Sequence, residues 1–330
     1  MSALPLPRTA RRRVAVVALV AALLAGCALT LAVGQLGIPL ARQPHALLDL
    51  LDGGGGLALR RLRGPRLATG LGTGAALGLA GALFQRATAN PLVTPDVIGI
   101  TAAAGAGTAL ATFWHLPVLP GSLAGALLAG LLVGWVTTTG FRNPGAVIVA
   151  GIGVAAGATA ITQLVLVWSR QAEAMALASA LTGSLNSRSC QDALLVWLVL
   201  LPGWLAALAL RTDLDLVALG DEAAHGLGSR PGTTRALSLG LGIVLTAAAV
   251  AVAGPITFVA LTAPHLARWF GGRPAMGTAA LVGALEVCLA DLAVAHWTVL
   301  DGLPVGVVTA LLGGIFLGFL LLSQFRKGAL

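Results

Sequence analysis

The chain has 330 residues, of which 57% are hydrophobic and 10% charged, with a mean hydropathy of +0.93. A soluble domain carries roughly 25% charged residues, so a fold with water on every side is excluded and no length remains for a sizeable soluble domain. The net charge of +8 is carried almost wholly by arginine, because Lys327 is the single lysine. The arginines flank apolar segments and read as topology signals and headgroup anchors, not as a nucleic-acid surface. With its lone lysine four residues from the end, the chain cannot hold a G-x-x-x-x-G-K-[ST] phosphate loop. Transport driven by ATP would therefore need a second polypeptide to hydrolyse it.

A helix that crosses a bilayer needs about 20 mainly apolar residues. Ten candidate spans follow in order, at roughly 14–34, 66–86, 95–113, 121–140, 145–168, 193–210, 236–253, 256–270, 276–296 and 304–324. The expected fold class is all-α: a polytopic membrane protein of about ten transmembrane helices, with residues 1–330 forming a single domain. Arg11 to Arg13 followed by Leu24-Ala25-Gly26-Cys27 imitates a bacterial lipoprotein signal. The chain stays apolar from Ala28 to Val33, however, so this stretch reads as the first span.

Gly70, Gly74, Gly78 and Ala82 line the second span at four-residue spacing, and Gly121 with Gly125 and Gly130 with Gly134 repeat the pattern in the fourth. Such faces let helices approach backbone to backbone. The third and eighth spans are short or flanked by proline, and broken helices persist in a bilayer only when packed in protein or lining a cavity. With the N-terminus inside, ten crossings return the C-terminus to the same side, and most of the basic residues then fall inside. Trp114, Trp135, Trp168, Trp269 and Trp297 lie near span ends, where amphipathic rings prefer to sit.

Two clusters stand out from this frame. Arg60, Arg61, Arg63 and Arg66 crowd into one outward loop, as a headgroup anchor or as a basic patch that docks an acidic partner. On the inner side, about 212–230, Asp213, Asp215, Asp221 and Glu222 alternate with Leu216, Val217, Leu219, Ala223, Ala224 and Leu227, with Gly220, Gly226 and Gly228 as turn points. That is a short amphipathic unit or a solvated loop. Cys27, Cys190 and Cys288 have no metal-binding spacing, and histidines 45, 115, 225, 265 and 296 form no HExxH-like motif, so no catalytic residue, cofactor or metal is expected. Glu286 and Asp291 fall within a span, where a carboxylate is costly. Asp291 reads as a structural hydrogen-bonding residue; Glu286 either lines a pathway or is bonded to a neighbouring helix, the second being favoured.

Several segments, in order, resemble the FecCD-type permease subunits of bacterial iron–siderophore and cobalamin ABC importers. They are Arg63-Gly-Pro-Arg66 with GALFQ at 81–85, Asn90-Pro91-Leu92 with VTPDVIGIT at 93–101, and TGSLNSRS at 182–189. The series continues with LVALGDEAAHGLGSR at 216–230, AGPITFVALTAPHLARWFGG at 253–272, CLADLA at 288–293 and LPVGVVTALLGGIFL at 303–317. The resemblance runs from about residue 60 to 322 and is similar in wording to the ferric-siderophore members more than to the cobalamin ones. It implies an inverted-repeat bundle of the type II importer kind in the bacterial cytoplasmic membrane, with both termini cytoplasmic.

It also implies three protein partners: an ABC ATPase subunit, a substrate-binding protein and a second permease chain, homo- or heterodimeric. By the same resemblance Arg63 and Arg66, with Arg60 and Arg61 beside them, face the binding protein. Leu216, Leu219, Gly220, Asp221, Glu222, Ala223, Ala224, Leu227 and Gly228 meet the ATPase. A further family arginine at the outer end of the ninth span is replaced by Ala295, next to His296, and two family tryptophans by Ala180 and Cys190.

The leading expectation is a permease for ferric-siderophore, with cobalamin or haem as alternative cargo. An ion-coupled secondary transporter would want more ionisable groups in the membrane than Glu286 and Asp291, and an intramembrane enzyme lacks a motif. The topology has a direct check. In variants without the three native cysteines, a cysteine at position 61 should react with an impermeant thiol reagent from outside. One at position 225 should react only after permeabilisation, and external labelling there would overturn the span count.

Overall fold

The computed structural model describes residues 8–33, 38–51, 58–137, 144–170, 174, 177–178, 181–271, 276–297, 300 and 302–326. Ten of its helices correspond to the ten expected spans. They are α1 (Arg8–Ala32), α3 (Gly64–Ala87), α4 (Ile100–Phe113), α5 (Val118–Val136), α6 (Pro144–Trp168), α7 (Cys190–Ala209), α10 (Pro231–Ala253), α11 (Val259–Gly271), α12 (Met276–His296) and α13 (Val305–Arg326). Two short helices, α8 (Arg211–Val217) and α9 (Asp221–Gly226), follow α7. The connection between α1 and α3 is more ordered than its sequence suggests: it holds α2 (Gln43–Leu51) and a π-helical turn, Ala58–Arg63, that runs directly into α3. No strand occurs among the described residues.

Local chemistry sets the helix ends. Pro65 and Pro231 sit in the first turns of α3 and α10, where a missing N–H costs nothing. Ser189 and Asp192 form a reciprocal capping box that starts α7. Gly254, at φ +75°, ends α10 in a conformation that side chains avoid.

Packing sorts the helices by depth. In α3 78% of the membrane window is buried, and α10 and α12 follow with 67% and 61%, whereas α1 and α6 bury 17% each. The centre is therefore α3, clasped by α10 and α12, with α1, α5, α6 and α7 around it. Without a hydrophobic drive between helices in lipid, close approach has to come from small residues. Gly74 and Gly283 face each other so closely that a Cβ on either would overlap the other's carbonyl oxygen. Gly107 and Gly121 join α4 to α5 in the same reciprocal way.

Among the described residues, seven helices are long and apolar enough to cross a membrane. The 14 residues of α4 and the 13 of α11 reach only about 20 Å at 1.5 Å per residue, short of the roughly 30 Å hydrocarbon core. Their crossings are completed by non-helical leads, 88–99 before α4 and 254–258 before α11. The lead to α4 starts where α3 ends, and the lead to α11 starts where α10 ends. Those ends lie at opposite faces, because Arg235 at the start of α10 bonds the Ala87 carbonyl at the end of α3. The two broken crossings thus run in opposite directions, the geometry of an inverted repeat.

Both described chain ends lie on one face. Arg63, at the start of α3, bonds the last carbonyls of α1, so α1 begins at the opposite face. The amide of Gly306, at the start of α13, bonds the carbonyl of Gly183, while Ser184 N–H bonds the last residue of α10, so α13 ends where α1 begins. Ten crossings require this.

The glycine geometry predicts a sharp contrast between two substitutions. Gly74→Val forces α3 from α12 and should cost more than the roughly 1–3 kcal/mol usual for overpacking, because the obstacle is backbone. Gly153→Val, at an α6 glycine with nothing within 4 Å, should leave the isolated chain's melting and monodispersity unchanged. Equal melting of the two variants would contradict the packing.

Candidate functional site

The polar groups gather at the two faces and at one point between. On the first face, the four arginines divide. Arg60 and Arg61 are exposed on the π-helical turn. Arg63 turns inward: its Nη1 donates to the carbonyls of Thr30 (3.0 Å), Leu31 (3.1 Å) and Val33 (2.6 Å), placing a cation on the negative end of α1. Arg66 Nε donates to both carboxylate oxygens of Asp291 at 3.0 Å, and its Nη2 to one of them at 2.8 Å. The Arg66 side chain is 27% exposed and that of Asp291 5%.

Arg63 and Arg66, expected to meet a partner protein, thus also make bonds within their own chain. Arg63 Nη1 and Arg66 Nε and Nη2 are engaged by α1 and α12, whereas Arg60 and Arg61 are exposed. Asp291 is structural, as expected, and its partner is the residue that sequence reading placed elsewhere. Ala295 and His296 are exposed beside this face, Cys190 Sγ bonds the Arg60 carbonyl, and Ala180 lies outside the described residues.

Between the faces, Asp96 in the lead to α4 ties the broken crossings together. One of its oxygens accepts the Thr101 hydroxyl at 2.6 Å and the other accepts the backbone N–H of Phe258 at 3.0 Å, in the lead to α11. Phe258 has φ +68°, a strained conformation for a bulky residue, and Asp96 satisfies the amide that this conformation leaves unpaired by helix. Nothing in the sequence singled Asp96 out; a carboxylate inside a proline-flanked weak span was the available signal. Glu286 on α12 accepts the Thr262 hydroxyl of α11 at 2.7 Å, which makes it a helix-to-helix bond, as favoured.

On the second face, α8 and α9 are locked to the bundle by two ion pairs. Arg86, at the end of α3, reaches Asp215 at 2.6 Å, and Arg235, near the start of α10, holds both carboxylate oxygens of Asp221 at 3.0 and 2.6 Å. Gly220 (φ +104°) and Gly228 (φ +85°) make the turns on either side of α9; Gly226 belongs to the helix and does not adopt a positive φ. Leu214, Val217 and Ala224 are buried under the unit, Leu216 is half-buried, and Leu219, Glu222, Ala223 and Leu227 are exposed.

The expected partner-contact set is therefore split. Ala224 packs within its own chain, and Asp221 is bonded to Arg235 while a third of its side chain remains exposed. Leu219, Ala223 and Leu227 form an uncovered apolar surface. Among the described residues no group of three His, Cys, Asp or Glu side chains is placed to hold a metal ion.

An all-helical membrane bundle with two oppositely directed broken crossings, and a stiff two-helix unit on one face, is the architecture of a transport permease. The chain belongs to the FecCD transport family, whose model matches residues 20–323. It is 38% identical over 277 residues to the ferric enterobactin transport system permease protein FepG of Escherichia coli (strain K12), covering 80% of this chain and 82% of that one. It is 34% identical to the Fe(3+) dicitrate transport system permease protein FecD of the same organism, covering 94% and 99%. A solved chain from an inward-facing metal-chelate type ABC transporter superposes with a TM-score of 0.79 at 24% identity, over 93% of this chain and 98% of that one, which shows the fold.

The Arg66–Asp291 pair generates a prediction with an internal control. Asp291→Ala leaves Arg66 with no counter-charge at a largely buried position and should cost about 3–5 kcal/mol in reversible unfolding. The double variant Arg66→Met with Asp291→Leu should recover most of that loss. A single variant as stable as the wild type would show that the pair contributes nothing.

Proposed function

We propose that this chain is the transmembrane permease subunit of an ATP-binding-cassette importer that carries a ferric-siderophore across the bacterial cytoplasmic membrane. The cargo is supported by the relatives, named for ferric enterobactin and for ferric citrate, of which this chain matches most of the length. The observation that carries the mechanism is the anchoring of α8 and α9. A short unit fixed by Arg86–Asp215 to the end of α3 and by Arg235–Asp221 to the start of α10 cannot move without moving the buried centre of the bundle.

An ATPase seated on Leu219, Ala223 and Leu227 would push or pull directly on α3 and α10. Those helices flank the two broken crossings that Asp96 ties together, so the force reaches the segments best able to change shape. The chain itself supplies no phosphate-binding lysine loop, and the hydrolytic step belongs to the partner.

On the opposite face, Arg60 and Arg61 form the basic surface for an acidic binding protein, on a turn that Arg63 and Arg66 hold in place. A second permease chain is supported by glycines with open space around them. Gly153 and Gly157 on α6, and Gly314 and Gly318 on α13, have nothing within 4 Å of where a Cβ would stand. Paired small residues of this spacing are the usual means of helix association in lipid. In this reading the termini and α8–α9 are cytoplasmic.

The experiment is uptake of iron-labelled ferric-siderophores in cells lacking the gene, with the cognate ATPase and binding protein present. The wild-type chain should restore uptake, and cobalamin uptake in its place would change the cargo but keep the machine. Ala223→Arg puts a charge into the proposed ATPase surface without disturbing the chain's own packing. It should fold, lose the ATPase on purification and abolish uptake. Ala224→Arg is not equivalent, because that position is buried at 0% exposure and the substitution disrupts the unit itself. Normal uptake by Ala223→Arg would place the coupling elsewhere.

A further inference from the structure

A groove between α1, α3, α7 and α12, closed at one end by α8, has a volume of about 840 Å³. Its walls are apolar, from Leu71 and Trp197 down past Leu200, Trp204 and Leu281 to Leu208. The wall is shaped by specific packing. Trp197 Nε1 is turned into the bundle by a 3.0 Å bond to the Ala68 carbonyl, and Trp204 lies so close to Gly277 that a Cβ there would come within 2.8 Å of its ring. From Trp197 to Leu208 the groove follows 11 residues of α7, about 16 Å, close to the roughly 15 Å of one leaflet's hydrocarbon.

The charge lies at one end only. Arg86, Arg211 and Asp215 close the groove on the face that carries the chain termini. Asp215 is taken by Arg86 at 2.6 Å. Arg211 is exposed, and no acid is paired with it among the described residues. Arg13 is also exposed, three residues before the groove-lining Val16 and so on the same helical face. Arg13, Arg86 and Arg211 outnumber Asp213 and Asp215, so the net charge at the mouth is positive, over an apolar slot one leaflet long.

We infer that this groove is a binding site for an anionic phospholipid, with the acyl chains along Trp197, Trp204 and Leu281 and the phosphate at Arg211 and Arg13. A transmembrane helix from a partner would bring an apolar end, not an anion, to this mouth, and a zwitterionic lipid would meet the cations with its own cation alongside. Basic pockets between transmembrane helices at the cytoplasmic side are the known setting for anionic headgroups. The bound lipid would steady α7 and α8, and thereby the unit that follows them; the site rests on the transport reading only for the cytoplasmic placement of its mouth.

Native mass spectrometry of the purified chain, delipidated and then offered equal concentrations of tetraoleoyl cardiolipin and dioleoyl phosphatidylcholine, tests the site. The wild type should retain cardiolipin at least fivefold over phosphatidylcholine. Arg13→Ala with Arg211→Ala, both exposed positions, should bring the ratio near one while leaving melting in detergent unchanged. Arg42→Ala with Arg61→Ala, on the other face, should keep the wild-type ratio. Leu281→Trp, which fills the slot, should lower retention of both lipids. Equal retention of the two lipids by the wild type, or an undiminished preference in the Arg13/Arg211 variant, would overturn the site and leave only annular lipid; recovery of a dimer of this chain through the groove would assign it to a second copy instead.

Discussion

The structure depends on the contact between α3 and α12. In lipid the two helices gain nothing from hiding apolar side chains, since the solvent is equally apolar, so their association has to come from backbone proximity and polar bonds. Gly74 against Gly283 gives the proximity, and the Arg66–Asp291 fork, near the same helices' outer ends, gives the bond. Everything central is arranged around that pair. Phe84 of α3 fills the space that Gly242 leaves on α10, Gln85 of α3 accepts a bond from Arg268 of α11 at 2.6 Å, and Trp197 of α7 reaches the Ala68 carbonyl of α3.

The broken crossings depart from that close helix packing. The leads to α4 and α11 surrender helical hydrogen bonds at membrane depth, which is tolerable only because protein groups take up the freed amides. Asp96 does so across the two leads, and it couples segments 162 residues apart in the chain. The residues of the leads are thus distinct from those of the α3–α12 contact.

The two faces use arginine in the same way. Arg63 and Arg66 direct donors into the chain and hold the turn on which Arg60 and Arg61 stand. Arg86 and Arg235 likewise turn inward to hold α8 and α9, leaving leucine and alanine uncovered. In both places the residues that make a partner surface stiff are distinct from the residues that would touch the partner. Substitutions at the anchors should therefore affect stability and coupling together, and substitutions at the surface coupling alone.

The sequence by itself determined the number and order of the spans, the lack of a phosphate-binding lysine and the family to which the chain belongs. These are properties of local windows: hydropathy adds along a stretch of about 20 residues, and a motif is complete within a dozen. It also pointed correctly to the third and eighth spans as the weak ones, because proline and length are local too. Only the tertiary structure decided where Arg66 sends its guanidinium, that Ala223 faces out while its neighbour Ala224 faces in, and that Asp96 joins two halves of the molecule. Each of those rests on a partner far away in sequence, 225 residues for Arg66 and Asp291, or on which side of a one-and-a-half-turn helix meets the bundle. No window of the chain contains that information, since in a membrane a polar side chain goes to whichever distant group can satisfy it.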